Sequence, residues 1–106
     1  MKKIAIFGST GSIGESTLAI VRENPDKFRV VTLVAGKNIE KLISQIREFN
    51  PENVYITSEE NAARLRALFP TLNVYCGEEG MEEISLRTDF DISVSALVGI
   101  AGSYFV

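Results

Sequence analysis

A glycine-rich segment near the N-terminus holds the residue types and spacing most suited to chemistry. It reads GSTGSIG at 8–14, after a short apolar run and before a stretch with helical periodicity. Glycines so placed between a strand and a helix are typical of loops that bind the diphosphate of a dinucleotide. Gly8 would permit a tight turn, Gly11 would admit a phosphate close to the backbone, and Gly14 would let the helix pack on the sheet. The free N–H groups of the helix's first turn would then bind the diphosphate.

A structural role for Ser12 competes with this interpretation. Ser12 and Glu15 have the spacing of a capping box, in which the Ser12 hydroxyl serves the helix rather than a ligand. Ser9, Thr10 and Ser12 could instead add hydroxyl donors to a phosphate site. Glu15 would be an awkward neighbour for a diphosphate unless its carboxylate bends back to the cap. The sequence leaves both roles of Ser12 open.

The end of the second apolar run indicates which dinucleotide would bind. An acidic residue there holds the ribose 2′-hydroxyl of NAD, whereas a basic residue accommodates the 2′-phosphate of NADP. Here Ala35 is followed by Gly36, Lys37 and Asn38, and the next carboxylate is Glu40. The missing acid and the cation of Lys37 favour NADP. Alternatively, Lys37 is an ordinary solvated lysine and Asn38 only caps the next helix.

Alternating strands and helices are predicted around these loops. Dense apolar runs predict strands at 3–7, 28–35, 54–57, 73–76 and 91–97. Helical spacing of apolar residues predicts helices at 12–23, 39–49, 59–69 and about 78–86, with Asn38 and Ser58 as caps of the middle two. This alternation predicts an α/β fold with a doubly wound parallel sheet, as in Rossmann-like NAD(P)-binding domains. Ligands of such sheets bind at the carboxyl ends of the strands.

Length and composition exclude several classes of protein. The chain has 106 residues, no histidine, a single cysteine and a net charge of −3. One domain is expected, without a disulfide framework, a histidine base, or a zinc site built from His and Cys. The negative charge argues against a nucleic-acid partner. No apolar stretch approaches the length of a signal-peptide core or a membrane span, so we expect a cytoplasmic protein without a membrane partner.

Other candidate features favour structural interpretations. The four glutamates within 78–83 have helical spacing and are interpreted as a solvated face rather than a metal site. Cys76 lies in an apolar run and is interpreted as a small core residue. The two glycines within 98–102 would suit close approach to the nicotinamide half of a cofactor, although a flexible exit from the last strand explains them almost as well.

Three segments together resemble the N-terminal part of the 1-deoxy-D-xylulose 5-phosphate reductoisomerase family. They are GSTGSIG at 8–14, AGKN at 35–38 and SALVGIAG at 95–102, in matching order and separation. The resemblance implies an NADPH-dependent oxidoreductase and isomerase that needs Mg²⁺ or Mn²⁺. Such an enzyme converts 1-deoxy-D-xylulose 5-phosphate to 2-C-methyl-D-erythritol 4-phosphate in isoprenoid biosynthesis. It also implies cofactor contacts at Thr10, Gly11, Ser12, Ile13, Gly36, Lys37 and Asn38.

The resemblance ends near residue 102. The family continues with a leucine, a proline-containing turn and a further helix, whereas this chain reads SYFV at 103–106. We therefore interpret residues 1–106 as a truncated NADPH-binding domain, with the catalytic and C-terminal domains absent. No catalytic residue and no metal ligand is assigned to this chain, which we expect to be inactive alone. The resemblance implies that the full-length enzyme is a homodimer that binds a sugar phosphate.

Two other functional classes share a glycine loop of this kind. An extended short-chain dehydrogenase would usually show an acid after the second strand and a Tyr-x-x-x-Lys pair further on, and the sequence has neither. A nucleotide-sensing domain would bind the dinucleotide without performing chemistry. The length of the downstream reading frame would separate these classes, because only the enzyme requires several hundred further residues.

Overall fold

Five strands and four helices alternate along residues 1–87 and 90–95, the part of the chain that the structure, a computed structural model, describes. The strands are β1 (Lys2–Phe7), β2 (Phe28–Val34), β3 (Asn53–Tyr55), β4 (Asn73–Tyr75) and β5 (Ile92–Ser95). The helices are α1 (Ser12–Glu23), α2 (Ile39–Phe49), α3 (Glu59–Leu68) and α4 (Gly77–Arg87). Every predicted element is present with small shifts at its ends, and positions 96–97 of the last predicted strand lie outside the described residues.

The strands form one parallel sheet in the order β4-β3-β2-β1-β5. The chain places β2, β3 and β4 successively on one side of β1 and then crosses to place β5 on the other side. The direction of winding therefore changes beside β1. In open parallel sheets a ligand binds at such a point, outside the carboxyl ends of the strands. The predicted α/β fold is confirmed, and its topology puts the loops after β1 and β2 at the expected binding edge.

Helices cover both faces of the sheet, which explains why the strands read as nearly continuous apolar runs. In β1, Ile4 and Ile6 pack in one buried cluster with residues of α1, α2 and α3. The alternate residues Ala5 and Phe7 pack in a second cluster with Ile84 of α4. Because successive side chains of a strand point to opposite faces, β1 contributes to both clusters. This central position fixes the direction in which the loop after Phe7 leaves the sheet.

The sequence of α2 places its N-terminus beside that loop. Leu42, Ile43 and Ile46 recur at helical spacing and are all buried against the sheet. Asn38 precedes the helix, and its side chain accepts a hydrogen bond from the backbone N–H of Lys41. Asn50 ends the helix in a left-handed conformation with φ 49°. The predicted cap and stop of this helix are therefore confirmed.

Candidate dinucleotide-binding site

The glycine loop leaves β1 in a tight turn that requires Gly8. Its φ is 94°, a conformation that residues with a Cβ rarely adopt. The backbone N–H groups of Gly8 and Ser9 both donate to the Val34 carbonyl at the end of β2, at 2.7 and 3.1 Å. The Gly8 carbonyl in turn accepts from the N–H of Gly11 at 3.2 Å. The loop is thus held to the neighbouring strand, and the predicted role of Gly8 is confirmed.

Gly14 and Gly11 differ in what surrounds them. A Cβ on Gly14 would lie 2.3 Å from the Gly8 carbonyl oxygen and 2.7 Å from the Ser9 Cα, both backbone atoms. The close packing predicted for Gly14 is present, but it is made with the loop after β1 rather than with the sheet itself. A Cβ on the exposed Gly11 would come no nearer than 3.6 Å to the Gly8 oxygen, which is ordinary van der Waals contact. The described residues leave room for a side chain at Gly11, so their packing does not require glycine there, whereas a bound phosphate would.

The capping box, one of the two roles that the sequence leaves open for Ser12, is not formed. The N-cap of α1 is Gly11, and Ser12 is already the first helical residue, one position too late for its hydroxyl to cap the helix. Within the described part of the chain, no side chain caps this end. The N–H groups of the first turn have no acceptor inside the helix. They remain directed toward the edge of the sheet, where the positive end of the helix dipole also favours an anion.

Two residues of α2, Lys41 and Gln45, brace the glycine loop. The Lys41 ammonium lies 2.9 Å from a carboxylate oxygen of Glu15 and donates to the Thr10 carbonyl at 3.1 Å. The buried Gln45 amide donates to the Ser9 carbonyl at 2.8 Å. Neither residue was predicted from the sequence to belong to the site. Their four-residue spacing shows that they share a face of α2, but only the packing of α2 reveals that this face meets the loop.

The loop after β2 lies next to the glycine loop, and the two predicted groups of cofactor contacts therefore share one edge of the sheet. Gly36, Lys37 and Asn38 are all exposed, and a Cβ on Gly36 would meet nothing within 4 Å. Lys37 forms no ion pair with any described residue, while the nearby Glu40 pairs with Arg64 of α3 at 2.7 Å. The next carboxylate in the sequence is thus engaged elsewhere, and Lys37 stands at the end of β2 without an ion-pair partner among residues 1–87 and 90–95.

Replacing Asn38 with alanine should destabilise the domain by about 1 kcal/mol, because the N-cap bond to the Lys41 N–H would be lost. Asn38→Ser should retain most of the stability, since serine caps nearly as well. Urea unfolding of both variants measures this. Ser58→Ala is the matched control on α3, where the longer 3.4 Å cap bond to the Asn61 N–H predicts a smaller loss. An Asn38→Ala variant as stable as the parent would contradict the capping role.

The remaining candidates have structural roles where they are described. The glutamates of 78–83 are all exposed, and no group of three or more metal-ligating side chains occurs among residues 1–87 and 90–95. Cys76 is half-buried against the larger core cluster. A hydrogen bond with Glu59 and burial raise the pKa of its thiol, which keeps it protonated and unreactive near neutral pH. The glycines of 98–102 lie outside the described residues.

A cavity of about 390 Å³ lies at the opposite edge of the sheet, near the amino ends of β1 and β2. Its lining includes Val21, Phe28 and Phe49. It lies away from the carboxyl ends of the strands, where parallel sheets bind ligands. The N-terminus of α1 and the exposed cation of Lys37 therefore make the loops after β1 and β2 the candidate site. None of the described helices has the length and apolar character needed to cross a bilayer.

Comparison with known proteins associates this geometry with one family. A family model described as 1-deoxy-D-xylulose 5-phosphate reductoisomerase matches residues 4–105. Relatives bearing that name include those of Listeria monocytogenes, 43% identical over 102 residues, and Geotalea uraniireducens, 48% identical over 104 residues. Each alignment covers 96% of this chain and 27% of the relative. The chain thus spans about a quarter of the length of these curated relatives.

Solved structures show the same fold. A DOX-P reductoisomerase in complex with NADPH, fosmidomycin and magnesium superposes with a TM-score of 0.85 at 35% identity, covering 96% of this chain and 26% of that chain. The 1-deoxy-D-xylulose 5-phosphate reductoisomerase of Zymomonas mobilis in complex with NADPH gives a TM-score of 0.82 at 27% identity. That alignment covers 95% of this chain and 27% of the Zymomonas chain. Both structures contain NADPH, the dinucleotide that the glycine loop and Lys37 favour on chemical grounds.

Proposed function

The chain belongs to the 1-deoxy-D-xylulose 5-phosphate reductoisomerase family, and on that premise we propose that residues 1–106 form an NADPH-binding domain. The strongest support is the presence of two features at one sheet edge: the N-terminus of α1 after a glycine loop, and Lys37 after β2. No described side chain caps the first, and no described carboxylate pairs with the second. The first suits a diphosphate and the second a 2′-phosphate. Family membership leaves the short-chain dehydrogenase and nucleotide-sensing alternatives without support.

The diphosphate would bind over the first turn of α1. The N–H groups of Ser12 and Ile13 have no acceptor inside the helix, and the Ser12 hydroxyl is exposed rather than engaged as a cap. Thr10 and Gly11 line the approach, with space above Gly11 for a phosphate. Ile13 leaves 52% of its side chain exposed at this edge, an apolar surface that a nucleotide would cover. We assign Thr10, Gly11, Ser12 and Ile13 to this half of the cofactor.

The 2′-phosphate would bind at the loop between β2 and α2. Gly36 leaves the space open, and its carbonyl is held by the Thr57 hydroxyl at 2.8 Å, which fixes the loop. Lys37 supplies the cation for a charge-assisted hydrogen bond. Asn38 caps α2 through its side-chain oxygen and so keeps Lys37 next to the positive end of a helix dipole. We assign Gly36, Lys37 and Asn38 to this half.

The whole protein would then rearrange and reduce 1-deoxy-D-xylulose 5-phosphate to 2-C-methyl-D-erythritol 4-phosphate, with NADPH supplying the hydride. We assign no catalytic residue and no metal ligand to this chain. The described residues offer no group of three or more metal-ligating side chains. On the family resemblance, we propose that the Mg²⁺ or Mn²⁺ of the reaction is held by another part of the enzyme. The family resemblance further leads us to propose a cytoplasmic homodimer with a sugar-phosphate substrate.

Gly11→Ala tests this assignment, since it should weaken NADPH binding about tenfold while leaving folding intact. The added methyl group meets only an ordinary 3.6 Å contact, and Gly11 has φ −82°, which alanine adopts freely. It would stand, however, where the diphosphate must approach the backbone. Isothermal titration with NADPH, with thermal melting in parallel, measures both effects. Ser16→Ala, an exposed change on the same helix, should alter neither. Unchanged affinity in Gly11→Ala would contradict binding at this loop.

A further inference from the structure

A carboxylate stands beside the site assigned to the diphosphate. Glu15 lies in the first turn of α1, and its backbone N–H closes the first hydrogen bond of that helix, to the Gly11 carbonyl at 2.9 Å. A negative charge at a helix N-terminus stabilises the helix. The same charge would repel a diphosphate bound to that terminus, because both would lie at the first turn of α1. A dinucleotide site built here needs something to neutralise Glu15.

Lys41 meets that need. Its ammonium lies 2.9 Å from Glu15 Oε2 and at the same time donates to the Thr10 carbonyl at 3.1 Å. The side chain is 36% exposed, so this contact is partly protected from solvent. Lys41 also sits in the first turn of α2, where the cap by Asn38 fixes its backbone. One cation is thus shared between the carboxylate beside the site and the backbone of the glycine loop.

The contacts with α2 also orient the peptide groups of the loop. In a trans peptide the C=O and the following N–H point in opposite directions. Gln45 holds the Ser9 carbonyl toward α2, so the N–H of Thr10 points away from α2. Lys41 holds the Thr10 carbonyl toward α2, and the N–H of Gly11 turns back to the Gly8 carbonyl. The loop conformation thus depends on two side chains of a helix that also carries the 2′-phosphate loop.

We propose that Lys41 is a positioning residue for the dinucleotide, which neutralises Glu15 beside the diphosphate and holds the Thr10 carbonyl of the glycine loop. This inference rests on the proposed function. It assigns different tasks to two lysines only four residues apart. Lys37 is exposed and distinguishes NADPH from NADH through the 2′-phosphate, whereas Lys41 is paired inside the site and serves the diphosphate that both dinucleotides share.

The test compares four variants by titration with NADPH and with NADH. Lys41→Met keeps the length of the side chain but leaves the Glu15 charge unpaired, and should weaken both dinucleotides by the same factor, about tenfold. Glu15→Gln combined with Lys41→Met should recover to within about threefold of the parent, because the repelling charge is gone. Lys41→Arg should bind nearly as the parent does. Arg22→Met breaks an ion pair with Glu48 that joins the same two helices, α1 and α2, near their C-terminal ends and away from both loops, and should change neither affinity. Thermal melting of each variant confirms that it is folded.

The outcomes separate this inference from the function it rests on. A parent chain that binds neither dinucleotide overturns the proposed function and this inference with it. If the parent binds, a Lys41→Met variant with unchanged affinity overturns the inference alone. So does a loss confined to NADPH, which would place Lys41 on the 2′-phosphate. Failure of Glu15→Gln to restore binding in the double variant also overturns it, because Lys41 would then act without neutralising Glu15.

Discussion

Gly14→Val should remove most dinucleotide binding and lower the free energy of unfolding by about 3 kcal/mol, the upper end of typical overpacking losses. Even the first added carbon would lie 2.3 Å from the Gly8 carbonyl oxygen and 2.8 Å from the Ser9 carbonyl carbon. These are backbone atoms, so relief requires α1 to move away from the loop rather than a side chain to rotate. That movement would misplace the N–H groups that bind the diphosphate. Urea unfolding and NADPH titration measure the two effects.

Gly36→Ala is the matched control for the stability loss. A Cβ at Gly36 meets nothing within 4 Å, so its free energy of unfolding should be close to that of the parent. If Gly14→Val is as stable as the parent and binds NADPH equally well, Gly14 is only a permissive helix residue and the close packing of α1 on the loop has no functional consequence. If the variant does not fold, the stability prediction stands, and Gly11→Ala reports on binding in a folded chain.

Lys37→Ala should weaken NADPH binding by about ten- to a hundredfold and leave NADH binding nearly unchanged. NADH lacks the 2′-phosphate and so would lose no contact with Lys37. Among the described residues Lys37 has no ion-pair partner, so its removal should leave no carboxylate there without a partner. Because Lys37 is exposed, the preference for NADPH should shrink as salt is added. Parallel titrations with both dinucleotides at two salt concentrations measure the effect.

Lys37→Glu should go further, because a carboxylate repels the 2′-phosphate and can accept a hydrogen bond from the 2′-hydroxyl of NADH. The preference for NADPH should narrow or reverse. Lys27→Ala, which removes an exposed lysine just before β2 at the other edge of the sheet, should change neither affinity. Equal loss of both dinucleotides in Lys37→Ala would show that Lys37 serves the loop or the diphosphate. No loss of either would make it an ordinary solvated lysine.

Periodicity and glycine spacing predicted the helices and strands well because each of these elements is determined mainly by residues that are close together in the sequence. The bounds of α1 were predicted to the residue, since its apolar face and the Asn24-Pro25 stop are adjacent in sequence. The third strand was predicted to reach Thr57 but ends at Tyr55. Thr57 instead turns toward the neighbouring loop, and its N–H and hydroxyl both donate to the Gly36 carbonyl. That contact joins residues distant in sequence, and no local pattern reveals it.

In the candidate site, too, the features set by neighbouring residues were predicted, and the contacts between residues distant in sequence were not. The tight turn at Gly8 and the need for close packing at Gly14 followed from spacing alone, because a strand, a turn and a helix meet within seven residues. Spacing did not show that Gly14 meets the loop rather than the sheet. The role of Ser12 stayed open in the sequence because the capping signature does not specify whether Gly11 or Ser12 is the N-cap, and the structure places the N-cap at Gly11. Lys41 was missed because its contact with Glu15 depends on how α2 packs against α1. The seven assigned cofactor contacts remain predictions.

The central claim is that NADPH binds across the loops after β1 and β2, and nuclear magnetic resonance of the ¹⁵N-labelled chain tests it most directly. Titration with NADPH should shift the backbone amides of 8–14 and 36–38 together, with a single affinity. NADH should shift the first group at higher concentration and leave the Lys37 amide largely unmoved. Amides that do not shift at either loop, or shifts centred on Val21, Phe28 and Phe49 at the opposite cavity, would contradict the account.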